Sequence, residues 1–235
     1  MNPILPVVGT FTVLTLLWLF FRPPFGKNVV RLNTDQRVVA LTYDDGPNPP
    51  YTDHLLDVLA KHDVKATFFM IGNRIERHPD TVNRVIAEGH QIGNHTYSHP
   101  LLGFLPPPYV QREIERTDDL LQQFNITNEV VFRAPMLTRF LPVAWVLAKG
   151  NRTHISCNVW SWDWTKQNPD KITETVLKKT SPGSIIVLHD GKAENKEADR
   201  SGTIEATDKI ITALKRDGYQ FVRLSDCLAV RVISD

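Results

Sequence analysis

Cysteine is scarce in this chain: Cys157 and Cys227 are the only two among 235 residues, in unlike contexts and without CxxC spacing. That excludes a cysteine-rich zinc module and a disulfide-dense scaffold. An excess of one charge is missing too, because 27 basic residues stand against 26 acidic ones and leave a formal net charge of +1. No broad positive field advertises a nucleic-acid partner, and none is expected. No segment repeats. What is present, 42% hydrophobic residues over this length, is enough to bury a full core, and one large domain is the starting assumption.

The first concentrated feature is an uncharged run at residues 3–21, PILPVVGTFTVLTLLWLFF, just long enough to cross a bilayer as a helix. It reads as a membrane anchor. A cleaved signal peptide is the competing reading, but the start lacks the usual Lys or Arg and no small-residue cleavage site follows. A buried helix is disfavoured because the run is apolar on every side. Arg22, Lys27 and Arg31 follow the run, and the positive-inside rule would hold the rest of the chain in the cytoplasm. The expected organisation is an anchor at 1–21, a linker at 22–35 and one domain at 36–235.

From Val38 onward short apolar runs alternate with helical patterns, the signature of βα units that build a parallel sheet. Seven runs are expected as strands: Val38 to Thr42, Ala66 to Ile71, Gln91 to Gly93, Val130 to Arg133, His154 to Trp160, Ser184 to Leu188 and Gln220 to Leu224. In the helical stretch from Thr52, Leu55, Leu56, Leu59 and Ala60 fall on one face. Further helices are expected from Pro79 to Glu88, over YVQREIERTDDLLQQF, from Pro142 to Lys149, from Asp170 to Lys179 and from Thr203 to Asp217. Two stretches break the rhythm, Pro100 to Pro108 and the charged loop from Asp190 to Gly202, and both are candidate functional rims.

Parallel α/β barrels carry their reactive groups on the loops after the strands, so strand ends are the place to look. Five polar clusters lie there: Asp44 and Asp45; His95 and His99; Arg133; Asp163; and His189. Adjacent carboxylates raise one another's pKa and need a counter-charge, which a metal ion supplies. In HTYSH two imidazoles four residues apart reach one cation from a single helical turn. One carboxylate and two histidines leave positions open for water, an arrangement of hydrolytic sites, and the second carboxylate is then free to take a proton. Taken singly each piece has a plainer reading: DDGP as a turn, a lone HxxxH as chance, Arg133 as an ion pair, His189 as a core residue. Their conjunction at one end of successive strands favours chemistry. Trp160, Trp162 and Trp164 alternate with Ser161 and Asp163, so an extended backbone sends the rings to one side; packing of Trp160 and Trp162 against a helix is preferred over sugar stacking.

Over about residues 36–228 the sequence resembles the NodB-homology polysaccharide deacetylases, carbohydrate esterase family four. The first family motif, TFDDGP, is matched by Thr42, Tyr43, Asp44, Asp45, Gly46 and Pro47; the second, H-[ST]-x-x-H, by His95 to His99. The resemblance implies Asp44 as catalytic base and Asp45, His95 and His99 as metal ligands. Arg133, Ala134, Pro135, Met136 and Leu137 stand where R-P-P-Y-G is usual, implying that Arg133 orients the base and the Met136 N–H faces the oxyanion. Asp163 and Trp164 align with the end of D-x-x-D-W, with Trp160 in place of the first Asp, and His189 after Val187 and Leu188 is implied as the catalytic acid, tuned by Asp163. The implied fold is an α/β, distorted (β/α)7-type barrel of parallel strands behind an N-terminal hydrophobic helix. The implied activity is removal of N-acetyl groups from an amino-sugar glycan by a divalent metal, zinc by default, with cobalt, nickel, iron or manganese as substitutes. Peptidoglycan N-acetylglucosamine is the first substrate choice; chitin oligosaccharides, O-acetylated xylan and a non-catalytic carbohydrate-binding relative are the alternatives. The expected placement is single-pass anchoring with the domain outside the cytoplasm, against the flanking charges.

Overall fold

A computed structural model describes residues 15–127, 130–165, 168–193 and 198–228. Its centre is a parallel sheet whose strands are β2 (Val38–Asp44), β3 (Thr67–Met70), β4 (Gln91–Asn94), β6 (Val159–Trp160), β7 (Ile185–His189) and β8 (Gln220–Phe221). They run in the order β4-β3-β2-β7-β6, with β8 paired to the start of β2. Two short strands, β1 (Asn28–Val29) and β5 (His154–Ile155), pair with each other in parallel.

β2 is buried along nearly its whole length, so its sequence, VVALTYD, is apolar on both faces rather than alternating. The period of two still sorts its side chains. Val39, Leu41 and Tyr43 join Phe68, Met70, Ile186 and Leu188 in the core under the helices, while Ala40 meets Phe69, Ile185 and Val187 on the concave face. The helical layer over the first face includes α1 (Tyr51–Lys61), α2 (Gly72–Arg77), α3 (Pro79–Ala87), α4 (Pro107–Gln123), α6 (Pro169–Lys179) and α7 (Ser201–Arg216), whereas α5 (Leu141–Lys149) packs with α4 around Phe132 and α8 (Leu224–Leu228) brings Leu224 to the concave-face cluster. Leu55, Leu56 and Leu59 of α1 are completely buried, each worth about 1.5–3 kcal/mol of burial.

Parallel strands and alternating helices are as expected, but barrel closure is not. Among the described residues no strand pairing joins β5 to β6, so the ring of hydrogen bonds stays open there. The expected single strand from His154 to Trp160 breaks because Asn158 turns its side chain onto β7, accepting from the Ile185 N–H at 2.9 Å and donating to Ser184 at 3.2 Å. The run from Val130 to Arg133 contributes only the bridges of Phe132 to Asn94 and His154.

The membrane anchor is corrected. No helix among the described residues is long and apolar enough to cross a membrane. Residues 3–14 of the apolar run lie outside the described residues; 15–21 form a short helical piece. There Phe20 and Phe21 pack on Phe140 at ring-centroid distances of 5.9 and 4.8 Å, and Phe20 also meets Phe104 of the Pro100 to Pro108 loop. The single-pass localisation drawn from that run falls with it. Both cysteines are free thiols.

Candidate active site

The strand register creates the site. β2 and β7 are adjacent and in register, so Asp44 lies directly opposite His189 at their carboxyl ends. Both residues continue the concave-face series, Ala40 and Thr42 on one strand, Ile185 and Val187 on the other.

Asp44 does not face the next carboxylate unaided. Arg133, completely buried, donates from one guanidinium nitrogen to Asp44 Oδ1 at 2.6 Å and to Thr42 Oγ1 at 2.8 Å. Its other nitrogens donate to the carbonyls of Ile155 and Ser156, and the group lies 4.1 Å over the Phe69 ring. A buried guanidinium so engaged is a fixed positive charge behind one carboxylate.

Asp45 lies at φ +73° and turns the other way. Its Oδ1 is 3.4 Å from His95 Nε2 and 3.2 Å from His99 Nε2. Burial alone would raise this carboxyl; while the two imidazoles carry their Nε2 protons they outweigh it and hold it well below the ordinary carboxylate range. Oδ1 is nevertheless buried without a hydrogen-bond donor. His95 Nδ1 lies 2.8 Å from the Arg133 carbonyl, which accepts only, so the ring proton sits on Nδ1 and Nε2 offers its lone pair toward Asp45. One atom each from Asp45, His95 and His99 falls within 4.8 Å of the others. An orphaned carboxylate oxygen facing ring nitrogens, one of them a lone pair in the neutral ring, is a donor set that fits a divalent cation.

The histidine spacing does not make a helical turn. Thr96 and His99 have φ of +68° and +58°, left-handed values that are uncommon for non-glycine residues and unusual for a β-branched one. Side chains capture the backbone first: Asn94 Oδ1 accepts from the Thr96 N–H, and Thr96 Oγ1 from the His99 N–H.

Opposite this group, His189 Nδ1 lies 3.0 Å from Asp163 Oδ1, and Asp163 Oδ2 accepts from the His189 N–H and the Thr203 hydroxyl. Burial works against charge on His189, but the Asp163 carboxylate outweighs it and lifts the imidazole to about 9. A cavity of ≈ 550 Å³ joins both sides, lined by Asp44, Asp45, His95, His99, His189 and the apolar wall described next.

That wall contains Met136, Leu137 and all three tryptophans. Trp162 sits at φ +60°, which breaks the expected extended run. Trp162 and Trp164 approach each other at 4.9 Å, and Trp164 meets the His189 ring edge-on at 4.9 Å. Trp160 has the Lys179 ammonium 4.7 Å over its ring. The rings stand partly exposed at the cavity, contrary to the preferred packing of Trp160 and Trp162 against a helix. Met136, at φ +53° and 75% exposed, is on the rim.

Sequence reasoning placed Asp190 and Arg200 in a candidate rim loop but gave neither them nor Asn48 a part behind the Asp44 to Pro47 turn, where they pack. Asp190 is buried, accepts from Thr52 Oγ1 at 2.6 Å, and is pushed by burial up to about 7. Asn48 donates to the Asp190 carbonyl, and Arg200 to the Gly191 carbonyl. The cue was present in the second Asp-Gly pair of IIVLHDG, read as the end of a strand and the start of a rim loop.

The polysaccharide deacetylase family matches residues 31–150. A peptidoglycan-N-acetylglucosamine deacetylase of Bacillus cereus is 33% identical over 210 residues, covering 87% of this chain and 94% of its own. A chitooligosaccharide deacetylase of Rhizobium leguminosarum bv. trifolii is 34% identical over 204 residues, covering 79% and 89%. A crystal structure of the peptidoglycan N-acetylglucosamine deacetylase Bc1960 superposes with a TM-score of 0.80 at 34% identity, over 86% of this chain and 92% of that one. Matching sequence along the length, matching fold and a metal-fitting Asp-His-His group lead to one conclusion: this chain belongs to the polysaccharide deacetylase family and is a hydrolase of that metal-dependent kind.

Proposed function

We propose that the chain removes N-acetyl groups from an amino-sugar glycan, with peptidoglycan N-acetylglucosamine as its substrate and zinc as its metal. The observation that carries the reading is the division of labour between adjacent carboxylates: Asp44 bound by Arg133 at 2.6 Å, Asp45 turned to two imidazoles at 3.2 and 3.4 Å. Asp45, His95 and His99 would hold the ion; cobalt, nickel, iron and manganese suit the same donors. When bound, a divalent ion supplies Lewis acidity, bringing the pKa of water toward neutrality and polarising a carbonyl oxygen.

The chain's own groups do the rest. Asp44, oriented by Arg133, accepts the proton of the attacking water. The Met136 N–H, in the turn at the cavity rim, is the donor assigned to the oxygen that gains charge. His189 donates its proton to the departing amine nitrogen, and the Asp163 carboxylate keeps that proton in place at physiological pH. Trp164 shields the imidazole edge and offers a face to the sugar. Acetate and a free amino sugar leave.

The substrate choice rests on the names of the relatives, since the membrane run no longer supports it. Acetate release is measured on peptidoglycan, chitooligosaccharides and acetylated xylan before and after a chelator, with zinc added back. Release from peptidoglycan that vanishes and returns is the expected result. Release only from xylan makes the chain an esterase, and glycan binding without release makes it a non-catalytic relative; either result ends the proposal.

A further inference from the structure

We propose that Glu113, on the inner face of α4, is a positioning residue for the loop that carries His95 and His99. The inference rests on the metal reading above and concerns a residue that never touches the metal, the water or the sugar.

The loop's backbone donors can be followed one by one. The His95 N–H goes to the Met70 carbonyl, that of Thr96 to Asn94 Oδ1, and that of His99 to Thr96 Oγ1. The two in between, on Tyr97 and Ser98, both go to Glu113 Oε2, at 3.1 and 2.8 Å. Glu113 Oε1 accepts from the Ser98 hydroxyl at 3.0 Å. One carboxylate thus takes both backbone donors at the middle of the loop and the Ser98 hydroxyl, while the Tyr97 hydroxyl donates to Glu76. The carbonyls of Thr96 and Tyr97 are taken in turn by the N–H groups of Gly72 and Asn73 at the start of α2.

This arrangement is informative because both ends of the loop are strained. Thr96 at φ +68° and His99 at +58° hold left-handed conformations of the kind that persist only where the surroundings over-determine them. Relaxing either would rotate the chain between the two imidazoles and move His99 Nε2 from its place 3.2 Å from Asp45. Glu113 is 8% exposed, and among the described residues none of its interactions is with a Lys or Arg. A buried carboxylate without a cation is expensive unless its oxygens are filled by donors, and here the loop supplies all of them. The carboxylate and the loop therefore specify each other.

The substitutions can be ranked from geometry. Glu113→Gln keeps an acceptor for the two N–H groups and turns an amide donor toward Ser98 Oγ, which can accept. Glu113→Asp withdraws the oxygens by one methylene, and Glu113→Met leaves two N–H groups unmet. Zinc affinity of the purified full chain, measured by competition with a chromophoric chelator, should fall about 10–100-fold in E113M, the range for losing a ligand's supporting partner. E113D should lie between E113M and the parent, and E113Q within about threefold of the parent. Thermal melts of the metal-free proteins check that each variant is folded, and E113D carries the test if E113M is not. Parent-like zinc affinity in folded E113M or E113D overturns this proposal alone. A parent chain that takes up no divalent ion overturns the metal reading and this inference together.

Discussion

At the scale of single residues, the site depends on giving two neighbouring carboxylates different partners. On the proposed mechanism Asp44→Asn removes the proton acceptor and leaves the Asp45, His95 and His99 donors in place. Turnover should fall by about 10²–10⁴-fold, with metal content by elemental analysis unchanged. The same change leaves the buried Arg133 guanidinium against a neutral amide, so the melting temperature should drop as well. His189 makes a second case. Its folded pKa is raised from 6.5 to about 9, so the pairing with Asp163 stabilises the fold fully below pH 6.5 and is lost as pH rises through about 9. On the proposed mechanism deacetylation needs the protonated form and should decline through the same interval. In Asp163→Asn the alkaline limb of the pH–rate profile should move down by about 1–3 units. A limb that stays near 9 would detach it from His189.

At the scale of elements, the turns after β2 and β7 are packed backbone against side chain with no spare room. A Cβ on Gly191 would stand 1.9 Å from the Asp45 carbonyl oxygen, and one on Gly46 would stand 2.1 Å from Asp190 Oδ2. The first neighbour is backbone and cannot swing aside. Gly191→Ala should therefore displace Asp45 and abolish metal binding, read by calorimetric titration, with destabilisation in the upper range for overpacking, about 3 kcal/mol or more. Helix ends away from the site offer a contrast. Asn168 Oδ1 caps α6 by accepting from the Lys171 N–H at 3.0 Å, so Asn168→Ala should cost about 1 kcal/mol in a denaturant melt while leaving acetate release intact.

At the scale of the whole molecule, residues well before the first long strand reach its far side. Asn28 and Val29 pair with His154 and Ile155, and Asn28 Oδ1 lies 2.7 Å from His154 Nδ1. His154 is buried and neutral, its pKa pushed down to about 3, and its Nε2 accepts from the Ala134 N–H beside Arg133. A chain beginning at residue 36 should accordingly melt at lower temperature than one beginning at residue 22, with the loss felt at Arg133 as reduced turnover. Equal melts and equal rates would mean that the strand from Asn28 to Val29 contributes nothing to the site.

What the sequence determined alone is what local pattern determines. Apolar periodicity marked β2, β7 and the helices from Thr52, Pro79 and Thr203, because each buries a continuous stripe that survives in one dimension. The family motifs supplied the ionisable residues. Tertiary structure decided the rest. Whether the strands close depended on one Asn158 side chain reaching β7, and whether HTYSH coils into a helix depended on Asn94 and Glu113, the latter fourteen residues beyond His99. The hydrophobic run at 3–21 looked like an anchor because composition cannot report what Phe20 and Phe21 will pack against. Such outcomes turn on hydrogen-bond and ring partners distant in the chain, and a linear pattern carries no record of which distant group will arrive.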